Sequence, residues 1–271
     1  MKDHNEETLR FKPAGDRALL IEGAEVISPH ENLKMYRLML AIEREVEGVE
    51  EVVPGYRSLL VYYDPFAVSF DELTRAIRQM ERRPGSIDLP SPRLVYLPVL
   101  YGGDAGPDIR DVAVHNALTM DEVIQIHTAA TYRVYMIGFL PGFPYLGGLS
   151  PKLFAPRLPS PRTRVPAGSV GIAGNQTGVY PMESPGGWRL IGRTPVDLYM
   201  PQRNPPVLLL MGDFVKFFPV SPEEFHEIRA QVERGEYRVR IEEAARALWE
   251  QAGETGETAS GRSREVAGSG R

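Results

Sequence analysis

The chain has 271 residues, 42% of them hydrophobic and 25% charged, with 26 glycines, 24 prolines and no cysteine. That length supports one large or two small domains, and the apolar share excludes a chain too polar to offset the entropy of ordering. The missing cysteines exclude disulfides, thiolate metal sites, iron–sulfur clusters and a cysteine nucleophile. A formal charge of −5 and a pI near 5.7 argue against general nucleic-acid binding. No apolar run approaches the ~18 residues of a membrane helix, and Met1 to Arg10 lacks the apolar stretch of a secretory signal. The expectation is a soluble, cytoplasmic protein with neither nucleic-acid nor membrane partner.

Residues 9–90 alternate strand and helix signals and read as an α+β domain. Arg17 to Ile21 forms a short strand candidate. Ser28-Pro29-His30-Glu31 then starts a helix with a capping serine, a proline at the first helical position and a glutamate at the third. Met35, Met39, Ile42 and Val46 behind it share one helical face, and Gly48 ends it. Val49 to Val53 and Ser58 to Tyr63 are strand candidates joined by Pro54-Gly55. A capping box at Ser69 and Glu72 opens a second helix carrying Leu73, Ile77 and Met80. With Leu94 to Leu100 as the last strand, the order β-α-β-β-α-β predicts a split βαβ sandwich.

Arg82-Arg83-Pro84-Gly85 and Pro90-Ser91-Pro92 read as a linker to a mainly β domain over residues 94–241. It opens with a helical pair, Pro107 to Leu118 and Met120 to Ala129, the second capped by Thr119 and Glu122. Residues 138–193 then hold eleven glycines and nine prolines among 56 positions, about twice the density of the whole chain, so turns and bulges must surround short strands there. Clearer strands are Trp188 to Arg193, Val196 to Tyr199, Val207 to Met211 and Asp213 to Val220. Short strands with Gly/Pro corners predict a sandwich or barrel. Ser221 caps one more helix, Gly235 ends it, and Tyr237 to Ile241 returns as an edge strand. Residues 252–271 contain four apolar side chains, three of them alanine, and read as a disordered tail.

One compositional feature points to chemistry. Between Val123 and Met182 there is no Asp or Glu in 60 residues, while Arg133, Lys152, Arg157, Arg162 and Arg164 give the window a charge of +5. A basic, glycine-rich, loop-dense stretch in an acidic chain suits an anion-binding cleft, because arginine offers paired donors and glycine lets backbone N–H groups approach. Val165 to Gly174 has glycines at every third residue, but no Gly-Lys-Ser/Thr follows, so it is not a phosphate loop. Gly186-Gly187-Trp188 has the form of an aromatic lid beside a tight turn. No two of the five histidines have metal-ligand spacing on a helix, so no metal site is expected. His115, followed by Asn116, and His127 each sit near a helix C-terminus, which suits either capping or proton transfer.

Several segments form a recognisable set. They are Tyr101-Gly102-Gly103 with Gly106-Pro107-Asp108, then His115-Asn116, Ile126-His127, and Tyr132 through Leu146, which includes Gly138-Phe139-Leu140-Pro141-Gly142-Phe143-Pro144-Tyr145. Pro161-Arg162-Thr163-Arg164-Val165-Pro166-Ala167-Gly168-Ser169, Gly174-Asn175-Gln176-Thr177-Gly178, Tyr180-Pro181, Ser184-Pro185-Gly186-Gly187-Trp188 and Ile191-Gly192-Arg193-Thr194-Pro195 complete it. This set resembles the family that includes the B subunit of bacterial 5-oxoprolinase, the kinase A inhibitor of sporulating bacteria and allophanate-hydrolase subunit 1, and part of the carboxyltransferase region of urea carboxylase. The resemblance implies an α/β N-terminal domain followed by a cyclophilin-like β-barrel. It also implies a homologous C subunit and an A subunit as partners in the ATP-dependent opening of 5-oxoproline to glutamate; the alternatives are a sensor histidine kinase as partner, or a place in allophanate or urea metabolism.

From these residues, the expected site binds a small carboxylate or acyl-phosphate, with ATP activated elsewhere in the complex. Arg162, Arg164 and Arg193 would hold anionic oxygens. Backbone N–H groups at Gly168 and Ser169 would face developing negative charge, and His115 or His127 would move a proton. Asn116, Phe143, Gln176, Tyr180, Gly186, Gly187 and Trp188 complete the expected substrate-binding set. The loop from Phe139 to Tyr145 suits a protein contact.

Overall fold

The computed structural model describes residues 9–25, 28–83, 89–243 and 248. The chain divides into two compact units, one drawn from residues within 1–52 and 57–87, the other from residues 53–56 and 88–244. Pro84 and Gly85 of the expected linker, His4, and the expected tail at 252–271 lie outside the described residues. Among the described residues, no helix is long and apolar enough to cross a membrane.

The first unit runs β1 (Arg10–Pro13), β2 (Ala18–Glu22), α1 (Pro29–Glu45), β3 (Val49–Pro54), β4 (Ser58–Tyr63) and α2 (Phe70–Glu81), with its sheet in the order β1-β2-β4-β3. Both helix starts follow from local chemistry. The Ser28 side chain accepts from the Glu31 N–H with Pro29 behind it, and Ser69 and Glu72 close a reciprocal capping box. Met35 and Ile42 of α1, Leu73 and Ile77 of α2, and the alternating Leu59 and Val61 of β4 meet in one apolar core. The fourth strand is β1, which carries no strong apolar alternation, and not Leu94 to Leu100. The expected β-α-β-β-α-β order is therefore corrected to β-β-α-β-β-α.

Leu94 to Leu100 lies in the second unit, within β5 (Arg93–Tyr101). There follow α3 (Ile109–His115), α4 (Met120–Ala129), β6 (Tyr132–Ile137), β7 (Pro144–Gly147), β8 (Arg162–Val165), β9 (Ser169–Ala173), β10 (Gln176–Val179), β11 (Ser184–Gly186), β12 (Arg189–Arg193), β13 (Phe214–Pro219), α5 (Pro222–Glu233) and β14 (Ile241–Glu243). Seven strands pair in the order β12-β9-β10-β7-β6-β13-β5, and β12 returns to β5 through Gly192 opposite Tyr101 and Arg193 opposite Leu100. The ring is a closed barrel, which leaves no unpaired sheet edge along it. β13 runs parallel to β5 over six residue pairs, β14 pairs antiparallel with the start of β5, and β8 with β11 forms a separate two-stranded ribbon. Val95, Leu97, Val99, Val134, Leu146, Val170, Ile172, Val215 and Phe217 fill the interior.

Four expected elements shorten or move. Val196 to Tyr199 and Val207 to Met211 reduce to the single bridge Tyr199 to Val207, because Pro201, Pro205 and Pro206 supply no N–H to a ladder. The edge strand expected at Tyr237 to Ile241 begins only at Ile241. The first helix of the pair stops at His115, before Ala117 takes a positive φ of 54°.

Candidate functional site

The glycine- and proline-rich stretch builds an aromatic wall on the second unit. Phe143 precedes β7, Tyr145 lies on it, Tyr180 follows β10 and Trp188 precedes β12. The Phe143 ring stands 5.2 Å from Tyr180, 5.4 Å from Trp188 and 5.0 Å from Tyr145, the first two edge to face. Such pairs contribute about 1 kcal/mol each beyond area burial, so the wall is rigid. Gly186 is part of its construction, since a Cβ there would lie 2.4 Å from the Tyr180 hydroxyl. Tyr56 extends the wall, 5.5 Å from Tyr145 and 6.0 Å from Tyr135, and Gln176 Nε2 donates to its hydroxyl.

Arg157 is exposed beside these rings. Burial raises the pKa values of Tyr56, Tyr145 and Tyr180, and the Arg157 charge acts against that rise at all three. One guanidinium therefore lies within electrostatic reach of three phenols. Among the described residues it makes no hydrogen bond or ion pair.

Arg162 is the second cation of the site. It sits on β8 opposite Gly186 of β11, and its charge also reaches Tyr180. Its Nη2 donates to Asp108 Oδ1 at 2.6 Å, while the other Asp108 oxygen accepts from the Leu190 N–H at 2.7 Å. Nη1 of Arg162 is buried and makes no hydrogen bond among the described residues. Phe143, Tyr180 and Trp188 are buried against one another, so what this group offers at its surface is the half-buried Tyr56, Tyr145 and Gln176 and the exposed guanidinium of Arg157.

The structure brings Phe143, Arg162, Gln176, Tyr180, Gly186 and Trp188 together, with Gly187 in the turn between them; its carbonyl accepts from the Leu158 N–H at 2.7 Å. Other expected residues are elsewhere or otherwise engaged. Arg164 is 76% exposed and pairs with Glu183, the first acid beyond the acid-free window, at 2.7 Å. Arg193 donates through Nε to the Ala167 carbonyl at 2.7 Å, and burial, then the neighbouring Arg229, lowers its pKa. Gly168 donates to the Tyr180 carbonyl at 2.7 Å and Ser169 to the Pro166 carbonyl at 3.3 Å. Both N–H groups expected to face negative charge are thus committed to the fold. Glycine is required at 168 because φ is 81° and a Cβ would meet the Thr194 carbonyl at 2.3 Å.

The histidines part company. His115 is exposed at the end of α3, and Asn116 closes that helix by donating from Nδ2 to the Val112 carbonyl at 2.9 Å. His127 is 0% exposed. Its ring stacks 4.8 Å from Phe217 in the barrel interior, and burial pushes its pKa down to about 3. A proton-transfer role at an open cleft does not fit that position, and His127 is a core residue.

Tyr56, Tyr145, Arg157 and Asp108 were not among the site residues expected from sequence. Arg157 was visible only as one charge in the basic window. Tyr56 arrives from a turn some 120 residues before Gln176, a pairing no local spacing reveals. Among the described residues no cluster of His, Asp and Glu could hold a metal ion.

A closed seven-stranded barrel with a cluster of aromatic rings beside two arginines defines the second unit. Residues 9–209 match the carboxyltransferase domain, subdomain C and D, and the chain belongs to that family. It is 45% identical over 238 residues to the 5-oxoprolinase B subunit of Bacillus subtilis (strain 168), spanning 83% of this chain and 99% of that one. The 5-oxoprolinase B subunit of Escherichia coli O157:H7 is 40% identical over 206 residues, 76% of this chain and 93% of that one. The crystal structure of the K. lactis urea amidolyase superposes with a TM-score of 0.73 at 24% identity, over 90% of this chain and 17% of that one, a likeness of fold.

Proposed function

We propose that this chain is the B subunit of an ATP-dependent 5-oxoprolinase that opens 5-oxoproline to glutamate together with a homologous C subunit and an A subunit. The observation that carries the reading is identity to curated proteins of that name along nearly their whole length. The site agrees with it in chemistry. A five-membered lactam is flat enough to lie on the half-buried Tyr145, and its carboxylate suits the guanidinium groups of Arg157 and Arg162. Net ring opening breaks the amide C–N bond and adds water across it. This chain holds the carboxylate and orients the ring. Activation by ATP falls to the partner proteins, since the sequence has no Gly-Lys-Ser/Thr phosphate loop. No metal enters the reading.

In the same reading the barrel is cyclophilin-like, the complex is cytoplasmic, and the loop from Phe139 to Tyr145 meets the C subunit. Phe139 is 63% exposed and held at a positive φ of 61°, a strained placement for an aromatic residue. The test is ATP-dependent glutamate release from 5-oxoproline by the three proteins together, omitting each in turn. Release that disappears without this chain supports a role within the enzyme. Release that is unaffected by its omission, with the partners folded, overturns the reading in favour of a regulator of a sensor histidine kinase.

A further inference from the structure

Gln176 opens β10 just after the turn at Gly174, where φ is 58°, and stands opposite Ala173 of β9. Its Nε2 donates to the Tyr56 hydroxyl, which fixes the plane of the side-chain amide. Burial raises the Tyr56 pKa, so the phenol stays neutral and that bond survives across the ordinary pH range. A carboxamide carries two N–H hydrogens and an accepting oxygen. One hydrogen of Gln176 goes to Tyr56. The other hydrogen and Oε1 meet no partner among the described residues, on a side chain that is half-buried but not sealed from solvent.

The groups around this amide complete a pattern. Tyr56 and Tyr145, both half-buried, stand 5.5 Å apart with their planes at 71°, so the two rings form an angled step. The exposed Arg157 acts electrostatically on both phenols and makes no hydrogen bond or ion pair among the described residues. An amide edge, a ring face and a cation therefore lie together at the surface of the second unit. A lactam carboxylate has the complementary features. Its small ring forces the amide cis, so N–H and C=O leave along one edge, whereas a trans peptide puts them on opposite sides.

We propose that Gln176 is a specificity-determining residue that reads the lactam edge of the substrate, Oε1 accepting from the ring N–H and Nε2 giving its second hydrogen to the ring carbonyl, with the ring against Tyr145 and the carboxylate at Arg157. The proposal rests on the substrate reading above and assigns recognition of the ring amide to one side chain. A Gln176 that only tied β10 to Tyr56 would serve stability and treat small cyclic carboxylates alike.

An analogue separates these roles in the assembled complex. The ketone 3-oxocyclopentanecarboxylate has CH2 where 5-oxoproline has N–H and keeps the same shape, so it forfeits the bond to Oε1. As a competitive inhibitor of wild type, its KI should exceed the KM for 5-oxoproline by about tenfold or more. In Gln176→Met, which removes both amide groups at similar volume, that ratio should fall to within about threefold of unity. A structural role alone would weaken both ligands together, so an unchanged ratio overturns the proposal even where the variant is less stable. The substrate reading fails separately, if the wild-type complex releases no glutamate. Lactam recognition is then decided on the full chain by nuclear magnetic resonance, with 2-pyrrolidinone and cyclopentanone as probes. The Gln176 side-chain amide signal, assigned by its loss in Gln176→Met, should shift with 2-pyrrolidinone and not with cyclopentanone. Equal responses to the two overturn it.

Discussion

The Tyr101 hydroxyl donates to Nδ1 of His127 across 2.8 Å inside the barrel, because the ring's proton sits on the other nitrogen, facing Thr177. Thr177 spends its own hydroxyl hydrogen on the Gly171 carbonyl at 3.1 Å, so it accepts from Nε2–H of His127 at 3.0 Å. Burial raises the Tyr101 pKa well above its ordinary value, which keeps the donor protonated. Tyr132 completes the group by donating to the His127 carbonyl at 2.8 Å. A neutral histidine with both nitrogens bonded can be buried at little cost; a charged one cannot.

Acid should therefore weaken the barrel through this residue. Its pKa is about 3 when folded and near 6.5 when unfolded. The unfolded chain takes the proton first as pH falls, so the contribution is complete above about pH 6.5 and is lost progressively down to the folded value. Between pH 7 and pH 5 the loss is about 2 kcal/mol. Urea denaturation of wild type and His127→Phe at both pH values checks it, and the variant should show the smaller acid dependence. Because it strands the Tyr101 hydroxyl, the variant should also be less stable at pH 7, by about 1–3 kcal/mol.

Adjacent glycines should behave oppositely. Gly186→Ala drives a methyl into the Tyr180 hydroxyl, whose ring is 1% exposed and packed between Phe143 and Trp188. A loss of about 1–3 kcal/mol is expected from overpacking. Gly187→Ala meets only Pro161, at 3.6 Å, and should be nearly neutral. Thermal melts of the two variants side by side decide the point.

Arg164 and Arg162 should differ in the same way for activity. The Arg164–Glu183 pair is solvent-exposed on both sides and adds little stability. Arg164→Ala should leave both melting temperature and glutamate release near wild type. Arg162→Ala should depress release by about tenfold or more, since it removes the charged donor and strands buried Asp108. Equal losses from the two substitutions would return the anion contact to a diffuse basic surface.

Phe139 offers a separation of folding from assembly. Replacement by Asn, which tolerates positive φ, should leave the melting temperature within a few degrees, because the strain relieved offsets the lost edge contact with Phe143 at 5.6 Å. Affinity for the C subunit, measured by calorimetry, should fall. Unchanged affinity would place the partner contact on another surface.

Local chemistry alone determined much of this molecule. The caps at Ser28, Ser69, Thr119 and Ser221 stand at the observed helix starts, because a cap depends on side chains within three residues of the backbone it satisfies. The α1 face through Met35 and Ile42, the turn-dense stretch and the barrel or sandwich class were legible for the same reason. Charge counting identified Arg162 but could not separate it from Arg164, two residues away on the same short strand. What distinguishes them is the partner each meets, Asp108 in one case and Glu183 in the other. Likewise β1 is too short and polar to announce itself, and Leu94 to Leu100 reads the same whether it closes a sandwich or a barrel. His127 reads from sequence as a helix-end cap or base because sequence shows the helix end and not the seven strands around it. Composition and short-range spacing decide which segments become helices, strands and turns. Which cation keeps a free donor, and which histidine is sealed from water, depends on pairings 50 residues or more apart, made only when the barrel closes.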